Sequence, residues 1–410
     1  MRPKTHRRNA RARQRHAGRA FEPSQAPTVQ HLQELLQAAA PELGRWLALG
    51  LALLSVAMLQ LWRGARSGNG WLTLAAISRC LPLDENEKAR SKRLYRLLRN
   101  SSLDGTQMTP LLVRLALGPR PKGFIPIVVD QTDIRGTPVI TAGVRVARRV
   151  IPVAFVSYEY VKIRKSQNII ENSLLQLIAS CLPPGCKPVF VLDRGYARAS
   201  LIRQLNALRI PFVLRGRSNT MVRIGRRRLF LGRVPHRLGR ASRHLRVSYQ
   251  DTAQEPVDLV IFHDPGFKEP WFLLVPPDSE QLLPTSEVVA LYRDRMQVEL
   301  TFRDWKTHLG IRGLRLEIDV APRLGRLLLA LSVAYILVVL LGSGEIAPRV
   351  REHTEVLRPT PRHGTRRRLS ALSIGILALS LERFATAVSQ ALHRLLAALL
   401  RGVPATELST

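Results

Sequence analysis

The spacing of apolar residues changes along the chain and predicts a helical region followed by a mixed α/β region. Residues 28–117 are rich in Leu and Ala, and Leu32, Leu35 and Leu36 lie on one predicted helix face. From Phe124 onward, short β-branched runs alternate with helical stretches in the order strand, strand, strand, helix, strand, helix, strand. These seven elements are predicted near residues 125–130, 138–146, 150–160, 169–182, 188–192, 196–208 and 210–214.

The second half of the chain shows three further patterns. Residues 216–283 alternate basic and apolar positions between turn signals, which predicts a basic β-rich segment. A long helix is predicted at 285–309. Residues 343–368 are rich in Pro and Arg and are predicted to form a linker, and residues 369–400 are predicted to be helical.

Two apolar stretches raise the alternative of a membrane protein. Residues 46–62 are interrupted by Gly50, Ser55 and Gln60. Residues 327–341 are purer, but this stretch of 15 residues is shorter than the roughly 20 that a membrane helix needs. We therefore expect buried core helices, no membrane partner and a cytoplasmic location.

The charge balance indicates a polyanionic partner. Lys and Arg number 63 against 30 Asp and Glu, a formal net charge of +33. A biased genome explains a preference for Arg over Lys but not this excess of basic over acidic residues, so DNA or RNA is the expected partner. Residues 1–27 hold eight basic residues and one acid and are predicted to be a flexible basic arm. The three cysteines lack the paired spacing of a zinc site, which favours a reducing cytoplasm.

One predicted helix in the N-terminal region has a basic face. Lys92, Arg96 and Arg99 lie on one side of it, and Leu94 and Leu97 lie on another. This pattern suits contact with DNA phosphates, and it is equally typical of a solvated helix face.

Two acids follow buried strands in the predicted α/β region. Asp130 and Asp193 both stand where a predicted strand ends, so their carboxylates can converge at one edge of a sheet. Converged carboxylates bind hard divalent cations such as Mg²⁺, and in a basic protein this indicates phosphodiester chemistry. Asp133 is predicted to face the other side of its strand and to be structural. Arg194 is predicted either to contact phosphate or to pair with a surface acid.

The predicted helix at 285–309 carries a stripe of polar residues. Tyr292, Arg295, Glu299 and Lys306 fall within about 60° of one another around the helix axis. A stripe of this composition is not a core face. It is either an ordinary charge pattern or a metal-binding carboxylate placed between phosphate-binding side chains.

The stripe and the two acids together resemble a known family. The Tyr, Arg, Glu and Lys, separated by two, three and six residues, resemble the Y-R-E-K signature of the insertion-sequence-four (IS-four) DDE transposases. The VVDQT run around Asp130 and the VLDRGY run around Asp193 resemble the first two acidic blocks of that family. The order Asp, Asp, Glu, completed by Glu299, also agrees.

The resemblance implies an α/β fold with an RNase H-like catalytic core, a mixed sheet with flanking helices. The implied division has a helical DNA-binding domain, a core interrupted by a basic β-rich insertion, and a C-terminal helical region. Its boundaries are 28–117 for the DNA-binding domain, 118–215 and 284–342 for the core, 216–283 for the insertion, 343–368 for the linker and 369–410 for the C-terminal region.

The resemblance also implies an activity. Asp130, Asp193 and Glu299 are the implied catalytic residues and ligands of two Mg²⁺ ions, for which Mn²⁺ can substitute. Tyr292, Arg295 and Lys306 are implied to grip the DNA backbone, and we expect Arg194, Lys92 and Arg96 to contribute. The expected partners are double-stranded DNA at the transposon ends and target, and a second copy of the chain in a homodimer.

One alternative within the resemblance is a catalytically inactive DNA-binding protein derived from a transposase. The presence of all three acids favours the active enzyme. A membrane-associated basic protein is the remaining alternative, and it leaves the acids and the helix stripe unexplained.

Overall fold

The computed structural model describes residues 27–64, 72–118, 122–160, 167–317, 320–355 and 369–408. All of the predicted basic arm except its last residue lies outside these residues, and so do residues 356–368 of the predicted linker. The described part of that linker, which was expected to lack regular structure, contains the short helix Ala347–Thr354.

The described part of the N-terminal region consists of helices joined by turns and loops and contains no strand, as the Leu and Ala pattern predicts. Two of its helices begin with side-chain caps: Thr73 accepts a hydrogen bond from the backbone of Ala76, and Asn86 accepts one from Ala89. The helices are α1 (Pro27–Ala39), α2 (Gly44–Gly64), α3 (Leu74–Arg79), α4 (Glu87–Arg99) and α5 (Thr109–Leu117).

A sheet of ten strands forms the centre of the molecule. Its strands follow one another in the order β3-β2-β1-β4-β5-β10-β9-β8-β6-β7. The first five strands are β1 (Gly123–Ile134), β2 (Thr137–Val146), β3 (Arg149–Ser157), β4 (Cys186–Leu192) and β5 (Phe212–Arg215). The last five are β6 (Met221–Ile224), β7 (Arg227–Phe230), β8 (Ser242–Tyr249), β9 (Glu255–Phe262) and β10 (Trp271–Val275).

The pairing within this sheet is mixed. β1 pairs with β4 in parallel, and so does β4 with β5, whereas the other pairs are antiparallel. The α/β class is therefore confirmed, and the run β3-β2-β1-β4-β5 is consistent with an RNase H-like DDE domain. The strands of residues 216–283 continue the same sheet through the pairing of β10 with β5.

Two α-helices lie between β3 and β5 in chain order, one before β4 and one after it. The first, α6 (Gln167–Cys181), was predicted near residues 169–182, and its buried apolar residues include Leu174, Leu175 and Ile178. The second, α7 (Ala199–Ala207), begins three residues later than predicted, because residues Arg194–Tyr196 form a separate 3-10 turn after β4.

The prediction of a single long helix at 285–309 is wrong. The chain forms α8 (Thr285–Arg295) and α9 (Gln297–Arg303), which are separated at Met296, and then a π-helical turn at Asp304–His308. The buried ion pair between Arg149 and Asp304 anchors this turn to the start of β3, and the Tyr335 hydroxyl donates a further bond to Asp304 over 3.0 Å. π-helical turns interrupt regular helices and often occur at functional sites.

Four further helices follow among the described residues, and the first of them is an apolar core helix. They are α10 (Val320–Leu341), α11 (Ala347–Thr354) and, across a bend, α12 (Ala371–Ser380) with α13 (Ala385–Leu400). α10 has 22 residues, so the prediction that its apolar stretch is too short to cross a membrane is wrong.

The helices Pro41–Gly64 and Val320–Leu341 both have the length and composition of a membrane span, and the bent pair Ala371–Ser380 with Glu382–Leu400 would be a third. In the folded protein, 72% and 100% of the most apolar windows of the first two are buried. Since an apolar helix that is buried on all sides is typical of a protein core, burial rather than length favours a core role.

The contact between α10 and α12 predicts one sensitive position. A Cβ atom at Gly375 would lie 2.1 Å from the backbone oxygen of Val338, so Gly375→Ala forces the two helices apart. We expect the free energy of unfolding to fall by about 1–3 kcal/mol, the usual cost of overpacking. Denaturant unfolding measures this loss. Gly64→Ala, where the added atom meets open space, is the matched control, and equal losses in both variants would contradict the packing.

Candidate active site

The sheet brings Asp130 and Asp193 together. β1 and β4 run in parallel, and their pairing ends with Val129 opposite Leu192. The next residue of each strand is an aspartate, so the two carboxylates emerge side by side. Asp130 itself is not at a strand end, contrary to prediction, because β1 keeps β2 as a partner beyond this point and continues to Ile134.

One guanidinium connects the three predicted acids. Nη1 of Arg295 lies 3.3 Å from Oδ2 of Asp130, and its Nη2 lies 3.1 Å from Oδ2 of Asp193. Nη1 is also 3.9 Å from Oε1 of Glu299, one helical turn away. Arg295 is only 4% exposed. Asp130, Asp193 and Glu299 therefore surround a single, almost fully buried cationic group.

Tyr292 contacts both Asp193 and Arg295. Its hydroxyl donates a hydrogen bond to Oδ1 of Asp193 over 3.0 Å. Its buried ring lies 5.2 Å from the ring of Trp271 and 5.7 Å from the guanidinium carbon of Arg295. Trp271 is buried in the same core. Tyr292 thus fixes both an acid and the arginine that holds it.

Glu299 and Lys306 are more exposed to solvent than Tyr292 and Arg295, the other two residues of the stripe. The Glu299 side chain is 56% exposed. Lys306 lies on the π-helical turn and not on a continuation of the helix, so the break alters its direction relative to Glu299. Burial lowers the pKa of Lys306, and the nearby Asp133 charge opposes that shift.

The two aspartates experience opposite electrostatic effects. Burial raises the pKa of Asp130 to about 6 despite the charge of Arg295. Burial also raises the pKa of Asp193, but Arg295, the next backbone amide and the Tyr292 hydroxyl outweigh it and leave the value below its usual range. The site therefore contains one carboxylate that is already stabilised and one that lacks sufficient positive charge.

This donor set suits a hard divalent cation. Three ionised carboxylates and one guanidinium leave two uncompensated negative charges, and all the acidic donors are oxygen atoms. Within the described residues, no three His, Cys, Asp or Glu side chains are gathered closely enough to hold a metal as they stand. Asp130 and Asp193, which already approach one cation together, are the pair that fits such an ion.

Arg194 borders a basic cleft next to Asp193. Its side chain is 60% exposed, and its Nη1 atom lies 3.8 Å from a carboxylate oxygen of Glu269. Of the two predicted alternatives for Arg194, this position fits pairing with a surface acid. Nε of Arg217 donates to the backbone oxygen of Arg194 over 3.0 Å. The cleft has a volume of about 690 Å³, and Arg215 and His236 also line it.

Lys92 and Arg96 lie on the exposed face of α4, and Leu94 and Leu98 are buried on the opposite face. Elsewhere on the helix, Arg93 forms an ion pair with Glu85. No ion pair or hydrogen bond of the Lys92 and Arg96 side chains is seen within the described residues. The predicted amphipathic helix is thus present, with these two cations available to solvent.

The sequence interpretation missed a polar network beside Asp130. It joins Gln131, Gln167, Glu171 and Arg198 through side-chain hydrogen bonds and an ion pair. The only signal in the sequence is the i,i+4 spacing of Gln167 and Glu171 on a helix whose other face is apolar.

The fold and the site together define an α/β protein in which two parallel strands bring paired aspartates together at the point where their pairing ends. Comparison with known families adds a match between residues 167–334 and the transposase DDE domain. This segment includes Asp193, Arg295 and Glu299 and begins after Asp130. The match supports a DDE transposase. No curated protein matches the chain.

The raised pKa of Asp130 predicts a stability change in Asp130→Asn. In the metal-free protein, the ionised carboxylate is costly above pH 6, since its pKa is about 6 when folded and about 3.8 when unfolded. We expect the variant to be about 1–3 kcal/mol more stable than the wild type at pH 8. The difference should shrink at pH 5, where the folded wild type is largely protonated.

Denaturant unfolding in the presence of a chelator, at pH 8 and pH 5, measures this difference. Asp133→Asn, at an exposed position three residues along the same strand, is the matched control. A variant at Asp130 that is less stable than the wild type at pH 8 would contradict the electrostatic description of the site.

Proposed function

We propose that this protein is a DDE transposase of the IS-four type. In this proposal it cuts an insertion sequence from DNA at its terminal inverted repeats and joins the freed ends to target DNA. Asp130, Asp193 and Glu299 are the proposed catalytic residues and ligands of Mg²⁺, with two ions bound and Mn²⁺ as a substitute.

The observation that carries the proposal is the convergence of the three acids on Arg295. Acids separated by 63 and 106 residues along the chain meet at one buried guanidinium. A purely structural salt bridge requires one carboxylate, not three. The excess negative charge and the hard oxygen donors favour a site for divalent cations beside a DNA phosphate.

The residues of the chain have distinct roles in this proposal. Arg295 holds the two aspartates at a common position, and the Tyr292 hydroxyl fixes the orientation of Asp193. Glu299, on the exposed side, is free to approach the same position from its helix. Bound Mg²⁺ supplies Lewis-acid stabilisation of the phosphoryl oxygens and activates the attacking water or hydroxyl.

Two surfaces are the proposed contacts to DNA. The basic cleft beside Asp193, lined by Arg194, Arg215 and Arg217, lies next to the acids and suits the strand that is cut. Lys92 and Arg96 on α4 suit phosphates of the transposon end at a distance from the cut. Lys306 is a further proposed backbone contact, carried over from the family signature. The signature also implied a DNA contact for Tyr292, but its side chain is fully buried and its hydroxyl is bonded to Asp193, so we assign Tyr292 the positioning role instead.

The remaining parts of the proposal follow from the family. Transposition joins two ends, so a homodimer in a synaptic complex is the proposed assembly. The proposed location is the cytoplasm of a prokaryotic cell, in association with the nucleoid. The inactive, transposase-derived DNA-binding protein is the less favoured alternative, because all three acids are present at one site.

Glu299→Gln tests the proposed chemistry. We expect the variant to bind the terminal inverted repeats normally but to cut them at least about 100-fold more slowly. A loss of this size is typical when transition-state stabilisation is removed. Cleavage of labelled end DNA with Mg²⁺ measures the rate, and gel shift measures binding. Glu287→Gln, an exposed acid in the first turn of α8, should cut at the wild-type rate. Undiminished cleavage by Glu299→Gln would refute its role.

Arg96→Ala tests the proposed DNA contact of α4. Loss of one phosphate contact should weaken end binding and lower the slope of log affinity against log salt by roughly one. Affinities measured between low and moderate salt give the slope. Arg79→Ala is the control, because the Arg79 side chain already pairs with Glu87 over 2.9 Å. The same slope in Arg96→Ala and wild type would remove α4 from the interface.

A further inference from the structure

The first two turns of α6 contact both aspartate-bearing segments. Gln167 and Glu171 are four residues apart and so lie on one face of the helix. We propose that Gln167 and Glu171 are positioning residues that hold Asp130 and Asp193 at the separation needed to bind a common cation. This inference rests on the proposed function, because it assumes that the two aspartates are metal ligands.

The first branch of the network leads to Asp130. The side-chain amide of Gln167 donates to Oε1 of Gln131 over 2.7 Å. The backbone N–H of Gln131 in turn donates to Oδ1 of Asp130 over 2.9 Å. The Tyr160 hydroxyl, which accepts a bond from Gln131 over 3.3 Å, secures the same side chain. Gln131 is therefore the single residue that connects Gln167 to the Asp130 carboxylate, so a shift of Gln167 would displace that carboxylate.

The second branch leads to Asp193. Glu171 is 5% exposed and forms an ion pair with Arg198, the residue that precedes α7. Arg198 also donates to Oδ1 of Asn172 over 2.9 Å. The short turn that begins directly after Asp193 is thus fixed at its far end to α6. Two contacts to one helix leave this turn little freedom to carry Asp193 away from Asp130.

Gln167 connects the two branches. Its amide group donates to Oε1 of Glu171 over 2.8 Å as well as to Gln131, so both of its N–H bonds are used. Tyr196, in the short turn after Asp193, is 4% exposed. Burial raises the pKa of Tyr196, and the charges of Glu171 and Asp130 raise it further.

The charge state of Glu171 argues for positioning and against metal binding. Its carboxylate is already matched by Arg198, whose side chain is 16% exposed, and by the Gln167 amide. A buried carboxylate that is satisfied in this way has little tendency to exchange its partners for a cation. Hydrogen bonds to the neighbours of metal ligands commonly tune metal affinity by fixing ligand orientation.

Gln167→Ala gives the most direct test. We expect Mn²⁺ to bind about 10-fold more weakly, the lower end of the loss seen when groups behind metal ligands are removed. Calorimetric titration of the full-length protein with Mn²⁺ measures the affinity, and Asp130→Asn defines the loss of the site. Thermal unfolding should be close to that of the wild type. Gln176→Ala, at an exposed position on the same helix, should bind Mn²⁺ normally. Normal affinity in Gln167→Ala would overturn the inference.

A pair of variants at Glu171 separates positioning from direct participation. Glu171→Gln keeps an oxygen that accepts from Gln167, whereas Glu171→Ala removes it. We expect Glu171→Gln to retain Mn²⁺ affinity within about 3-fold of the wild type and Glu171→Ala to lose about 10-fold or more. Normal affinity in Glu171→Ala would overturn the positioning role.

These affinities do not depend on DNA cleavage. A wild-type protein that binds Mn²⁺ through Asp130 but fails to cut the terminal repeats would count against the proposed function. The comparison of Gln167→Ala with Gln176→Ala would still decide the positioning inference in that case, because it requires only the metal and the folded chain.

Discussion

The arrangement of the candidate site depends on the guanidinium of Arg295. Without this buried cation, the close approach of Asp130, Asp193 and Glu299 would be strongly unfavourable, because like charges in a low-dielectric environment repel one another. Arg295 reaches all three because it lies at the end of α8 beside the two aspartates, and Glu299 follows it by about one helical turn. A single arginine balances only part of the charge, and the remainder gives the site its expected affinity for divalent cations.

The sheet and α6 determine where this charge cluster forms. Parallel pairing of β1 with β4 sets the two aspartates side by side. The polar face of α6 then restrains each of them through a different neighbour, and the ring of Tyr292 supports Arg295 from the core. The cluster is therefore built from elements that are distant in sequence and meet only in the folded sheet. Residues 167–334, which match the transposase DDE domain, contain all of these elements except β1 with Asp130 and Gln131.

The sequence predicted the parts of this site that depend on local pattern. The strands that precede Asp130 and Asp193 are marked by β-branched runs, and the stripe of Tyr292 and Arg295 follows from helical periodicity. The break at Met296 and the π-helical turn were missed. The π-helical turn is held by the buried pair of Arg149 with Asp304, residues that are far apart in the chain.

The sequence pattern also did not predict which side chains contact one another. Arg295 was expected to contact DNA, and in the structure it contacts the acids. A helical stripe shows which residues share a face, but not which charge from another element lies opposite them. The network through Gln167 and Glu171 was missed for the same reason, since hydrogen-bond partners across a fold leave no periodic signal.

The central claim is that the acids around Arg295 form a divalent cation site. The most direct measurement is anomalous diffraction from crystals of the protein soaked in Mn²⁺. We expect a Mn²⁺ peak bonded to carboxylate oxygens of both Asp130 and Asp193 at roughly 2.1 Å, a distance typical of small hard cations. A Mn²⁺ peak elsewhere, with Arg295 still bridging the two aspartates, would contradict it.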